Sequence, residues 1–203
     1  MRTCSALWLI LCLVAAACPA PGVLAATGED PEWPCIQRLV PEIAPAVVWP
    51  GPPLDGADAG PAPTIDQLAS ELAARRVPVD DAAAQVEAFG RTLAPEQRDQ
   101  QLTLLFVRTL EIINRDRASI IQGIKKYARG ERAMAAAITE KNERLSRLAP
   151  DQVLERETLI AERDWDLRIY DDRRSALPYL CEQPVLLEQR AFALARAIAG
   201  QLE

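Results

Sequence analysis

Two cysteines are the residues of this chain best placed to do chemistry. Five occur along its 203 residues, and three of them, Cys4, Cys12 and Cys18, fall in an apolar leader. The other two, Cys35 and Cys181, lie 146 positions apart. In an oxidising compartment a lone, far-separated pair most often forms one disulfide. In the chain-entropy description, closing so long a loop stabilises a fold by about 5 kcal/mol, less any strain. The same two thiols could instead serve a redox reaction or a two-thiolate metal site, although redox cysteines are usually spaced C-x-x-C.

The other candidates are thinner. The chain has no histidine, which removes Ser-His-Asp and Cys-His catalysis, haem-histidine ligation and most zinc sites. Di-metal helical bundles, which need Glu-x-x-His, go with them. No glycine-rich phosphate loop of the G-x-G-x-x-G or Walker type occurs. Beyond the leader the serines are Ser70, Ser119, Ser146 and Ser175, none in a recognisable nucleophile setting, and Lys125-Lys126 is a solitary basic pair. Asp164, Asp166, Asp171 and Asp172 gather carboxylates, with Asp164 and Asp171 on one helix face. Arg163, Arg168, Arg173 and Arg174 are interleaved with them and calcium-loop spacing is missing, so the pattern predicts a solvated, salt-bridged face. No catalytic residue, cofactor or metal is assigned.

The elements that would hold these residues start with an export signal. Arg2 precedes the uncharged stretch Ala6–Ala17, and Val23-Leu24-Ala25 suits cleavage before Ala26, so residues 1–25 read as a signal peptide. The stretch is too short to cross a bilayer about 30 Å thick, and no later window predicts a membrane span. Lipid attachment at Cys18 is the rival reading; Ala15 stands where such sites usually carry leucine, so export without a lipid anchor is preferred. The Ala/Arg-rich composition suits a bacterial periplasmic protein. Lys+Arg 23 against Asp+Glu 29 gives a net charge of −6, and losing Arg2 makes the mature chain more acidic still. That balance argues against a nucleic-acid partner, which requires a surplus of cations.

Residues 26–63 form a proline-punctuated arm in which no regular helix or central strand is expected. Trp33, Ile36, Leu39, Val40, Ile43, Val47, Val48 and Trp49 make it too apolar for a solvated linker. The arm therefore reads as an extended strap over residues 32–53, pinned through Cys35, with residues 54–63 as a connector. Trp33-Pro34-Cys35 and Trp49-Pro50-Gly51-Pro52-Pro53 are its distinctive features. Their indoles are either a recognition surface or anchors that hold the strap down, and anchoring is preferred. The run Asp30-Pro31-Glu32-Trp33-Pro34-Cys35-Ile36-Gln37, with Val40-Pro41, resembles a D-P-x-W-P-C-x-Q signature of uncharacterised exported proteins of proteobacteria. The resemblance covers only the arm and implies no activity.

Residues 64–203 read as a helical domain. Helices are predicted from Ile65 to Arg76, with a Thr64–Gln67 capping box, and from Asp81 to Leu93, capped by Asp80 or Asp81. Between Pro95 and Pro150, Phe106, Ile113, Ile120, Tyr127 and Met134 recur every seven positions, interleaved with Leu110, Ile124, Ile138 and Leu145. This predicts a coiled-coil-like rod of roughly 75 Å. Arg117 and Glu131 interrupt the seam: either they fix register or a partner, or the seam rotates there because 3.6 residues per turn does not match seven. A second long helix, Asp151 to Ala176, carries Leu154, Thr158, Ala161, Trp165 and Ile169 on one stripe and folds back antiparallel. A last helix is expected from Pro184 to Ala199.

The expected fold class is thus all-α: a long antiparallel hairpin with shorter packed helices and an extended N-terminal arm. The expected function is that of a non-enzymatic interaction or accessory protein, binding a protein partner or a second copy. The alternative is a periplasmic thiol-redox or metal-handling factor using Cys35 and Cys181.

Overall fold

A computed structural model describes residues 30–54 and 60–203, and among these the regular secondary structure is entirely α-helical. The signal at 1–25, Cys18 and the middle of the connector lie outside the described residues. The helices are α1 (Pro45–Val48), α2 (Pro63–Ala73), α3 (Val79–Thr92), α4 (Pro95–Arg147) and α5 (Val153–Ala199). The single turn α1 sits inside the arm where no helix was expected. Its Pro45 occupies the first turn, where a missing N–H breaks no hydrogen bond.

Two helix starts differ from the sequence expectation. Neither Thr64 nor Asp80 caps a helix. The N-caps are Ala62 and Pro78, without side-chain hydrogen bonds. Pro63 supplies the preset φ for α2, while Asp80 and Asp81 put negative charge in the first turn of α3, beside its positive dipole end. The C-terminal end of α2 falls short of Arg76 and is closed from a distance. Arg190, only 6% exposed, donates from Nε to the Leu72 carbonyl at 2.7 Å and from Nη1 to the Val77 carbonyl at 2.8 Å.

The dominant feature is the antiparallel pair α4 and α5. At about 1.5 Å per residue, α4 is roughly 80 Å long, and it runs without a break through Gly123 and Gly130. The turn is closed by local polar contacts: the Gln152 Oε1 accepts the Ala149 N–H at 2.8 Å, and Arg156 donates to the carbonyls of Leu148 (2.8 Å) and Leu145 (3.3 Å), near the end of α4.

Beyond that turn, the sequence expectation of two helices is corrected to one. The helix α5 passes through Pro178 and Pro184, although each proline lacks a donor and crowds the carbonyl four residues earlier. Side chains from distant segments meet the backbone of this turn. Gln37 of the arm donates to the Cys181 carbonyl and Arg117 of α4 donates to the Pro184 carbonyl. Pro184 itself is buried.

The core sits at one end of the hairpin, where α2, α3 and the arm pack on it. Leu72, Val86, Leu102, Leu105, Ile113, Leu187, Leu194 and Ile198 are all but inaccessible to solvent, and burial of each such side chain is worth about 1.5–3 kcal/mol. Toward the turn the apolar contacts thin out to Ile138, Leu145 and Leu159. There the expected stripe fails as a packing face. Leu154 is 78% and Trp165 59% exposed, and Thr158 and Ala161 are exposed with them. The buried line of α5 is instead continued by half-buried Arg156, Arg163, Asp166, Tyr170 and Arg173.

Candidate functional site

The arm meets the hairpin through a ladder of polar contacts. Cys35 and Cys181 are joined by a disulfide, with Cα atoms 5.6 Å apart. The residues around Cys35 form a small closed loop. Asp30 accepts the Glu32 N–H on its side chain and the Trp33 N–H on its carbonyl, both at 2.9 Å, turning the chain. The Trp33 indole then donates to the Gln37 carbonyl at 2.7 Å, while the Gln37 amide reaches Cys181. The D-P-x-W-P-C-x-Q run is thus a turn and a loop that present one sulfur to α5.

From this loop the arm runs antiparallel along α4. Asp30 pairs with Lys125 at 2.5 Å and Glu32 with Arg129 at 2.8 Å. The Val40 carbonyl accepts from Arg117. Ile43 exchanges both backbone groups with the Asn114 side chain: its N–H donates to Oδ1 at 3.0 Å and its carbonyl accepts from Nδ2 at 3.1 Å. Asn114 thus pairs with the strap as a second strand would. Trp49 ends the ladder, its ring stacked on Phe106 at 4.2 Å and its N–H donating to Pro52 at 2.8 Å. The indole lies so close over Gly51 that no Cβ would fit there.

Arg117 is the joint of this assembly. It is 4% exposed, and besides Val40 it donates to Pro184 at 3.4 Å and faces the Glu188 carboxylate at 3.9 Å. Burial pulls its pKa down, and Glu188 offsets part of that effect; a guanidinium nonetheless stays charged in a protein. The buried line runs Ile113, Arg117, Ile121, Ile124, Ala128, so it does slip by one position past Ile120, as a straight helix must. Arg117 stays on that line, holding the arm. Glu131 is placed elsewhere, half-buried toward the turn, and its carboxylate forms no ion pair among the described residues. Trp33 and Trp49 lie at opposite ends of the ladder and do not form one surface.

The half of the hairpin nearer the turn is joined by polar groups. The Tyr127 hydroxyl donates to the Arg173 carbonyl at 2.9 Å, and the Arg173 guanidinium lies 4.1 Å over the Tyr127 ring. A Cβ at Gly130 would crowd that guanidinium at 3.1 Å. Lys141 bridges to Asp166 at 2.7 Å and Glu162 at 3.7 Å, and Arg144 to Glu155 at 2.5 Å. Hydrogen bonding to Asp166 raises the Lys141 pKa. At the arm, the Lys125 hydrogen bond lowers the Asp30 pKa, assisted by the Glu32 N–H. The sequence-noted carboxylates are dispersed. Asp164 pairs with Arg163 at 2.7 Å, Asp166 with Lys141, and Asp171 and Asp172 face solvent. Among the described residues no three metal-ligating side chains converge.

Sequence reasoning passed over Asn114 and Arg129, which help fasten the arm, and Arg190, which fastens α2; it named Gln37 and Lys125 without giving them that part. For Arg190 a signal existed: a charge between Leu187 and Ala191 on an apolar face, the feature that singled out Arg117. For Asn114 no comparable signal existed, because its partner is backbone. Comparison with family models, curated proteins and solved structures finds no match to this chain. Among the described residues no helix is long and apolar enough to cross a membrane.

Proposed function

We propose that this chain is an exported, non-enzymatic accessory protein of the bacterial periplasm that binds a protein partner along its projecting hairpin. The observation that carries the reading is the outward face of α5 near the turn, where Leu154 and Trp165 stand in solvent on helices already joined to each other by polar contacts. Large exposed aromatic and aliphatic side chains on a preformed surface are what binding energy is concentrated in. Export is supported by the leader-like residues 1–25 and by a long-range disulfide, which persists in an oxidising compartment.

The alternative, thiol-redox or metal handling at Cys35 and Cys181, has less support. Cys181 is buried and its backbone is tied to Gln37, whereas reactive cysteines need access. The discriminating experiment is sizing of the protein in native envelope extract. The proposal expects a complex that survives Cys35→Ala with Cys181→Ala and dissolves with Leu154→Glu plus Trp165→Glu, helicity being retained in both. Dissolution by the cysteine pair alone would transfer the function to the sulfurs.

A further inference from the structure

The uncovered face of α5 carries a record of what fits it. At about 100° per residue, Leu154, Thr158, Ala161 and Trp165 fall on one line, with the 4-3-4 spacing of a helix-pairing seam. That line points away from α4, since its four residues are exposed while the residues that face α4 (Arg156, Leu159, Asp166 and Arg173) lie about 90–170° around the helix from it. The residues flanking such a seam choose the partner. Here they are all acidic: Glu155 and Glu162 on one side, Glu157 and Asp164 on the other.

The cations near this face reduce its acidity without reversing it. Residues 151–166 hold six carboxylates against two guanidiniums, one of which, Arg156, is turned to the α4 carbonyls. Arg144 and Lys141 contact Glu155 and Glu162 from the α4 side, Arg163 pairs with Asp164, and Glu157 has no ion pair among the described residues. Beyond Trp165, Arg168 caps the ring at 5.5 Å and closes the seam with a positive charge.

We infer that this face docks an amphipathic helix of another protein, with small and branched apolar residues on its seam and lysine or arginine beside them. The inference rests on the interaction reading above and specifies the chemistry of its partner. A second copy is a poor occupant, because it would set acidic flanks against acidic flanks in either orientation, and like charges at such positions repel. An anionic membrane surface is disfavoured for the same reason, since it attracts basic faces. The partner helix makes its main contact at Trp165, and its cations meet Glu157 and Asp164.

The test uses the mature full-length chain and a synthetic 21-residue helix with Leu and Ala on the seam and Lys on both flanks, followed by fluorescence anisotropy. The Lys-flanked helix should bind at least ten-fold more tightly than the same seam flanked by Glu. Leu154→Glu with Trp165→Glu should weaken it at least ten-fold with the circular-dichroism spectrum unchanged, and Glu157→Lys with Asp164→Lys should reverse the preference between the two peptides. Raising salt should weaken binding. Equal affinity for both peptides, no binding, or indifference to these substitutions would overturn the inference. So would light scattering that shows a dimer dissolved by the Leu154 and Trp165 changes. If the envelope complex still dissolves with those changes while peptide preference is absent, only the partner chemistry is wrong; if that complex is untouched, the interaction reading falls too.

Discussion

The two ends of the hairpin are built from the same two helices and held by different forces. At the base, Leu105, Ile113, Leu187 and Leu194 bury nearly all their surface in one cluster with α2, α3 and the arm. Near the turn, α4 and α5 meet through Tyr127, Arg173, Lys141 and Asp166. Partly solvated ion pairs contribute little to stability, whereas apolar burial dominates it. The base therefore holds the global stability, and the far end should open locally at lower free energy. The contrast also has a functional side: an end joined internally by polar groups keeps apolar residues free for its outer surface.

The largest expected effect falls on the strap. Replacing both cysteines, Cys35→Ala and Cys181→Ala, removes up to about 5 kcal/mol in the chain-entropy description, read as a fall in urea midpoint; no fall would mean the arm is held by its other contacts alone. Next is the core. Leu194→Ala should cost about 2–5 kcal/mol, while Leu159→Ala near the turn should cost clearly less because that site is flanked by half-buried polar groups. Equal losses would remove the distinction between the ends. Arg190→Met takes the side-chain donor from the buried Leu72 carbonyl and the part-buried Val77 carbonyl, at about 1–3 kcal/mol.

The smallest effect is that of pH. With no histidine, no side chain at its ordinary pKa titrates between pH 5 and 8, so stability should be nearly flat across that range. The Asp30 pKa is lowered in the fold, so its contribution is present above the unfolded value near 3.8 and disappears as pH falls through the lower folded value. The Lys141 pKa is raised, so its contribution is complete below about 10.5 and disappears as pH rises through the higher folded value. The Asp30 contact should be lost in acid only below the ordinary carboxylate range, and the Lys141 contact in alkali only above the ordinary ammonium range, both followed by site-resolved NMR. A transition near neutrality would contradict this.

How far these properties could be read in advance depended on where each partner lies. The seam from Phe106 to Ile124 and the all-α class follow from spacing alone, because apolar periodicity is local. The continuity of α5 through Pro184 was hidden, since the groups that meet that turn, Gln37 and Arg117, come from distant parts of the chain. Periodicity also shows that Leu154, Ala161 and Trp165 form a stripe, without showing whether another element of the same chain covers it. The side that meets α4 carries Leu159 and Tyr170 among charged residues, so its apolar signature is weak.

Hydrogen exchange resolved along both helices tests the difference between the ends most directly. The account predicts that amides around 102–113 and 187–198 exchange only through global unfolding, while those around 131–147 and 153–170 exchange through local openings of much lower free energy. Uniform protection from base to turn would contradict it.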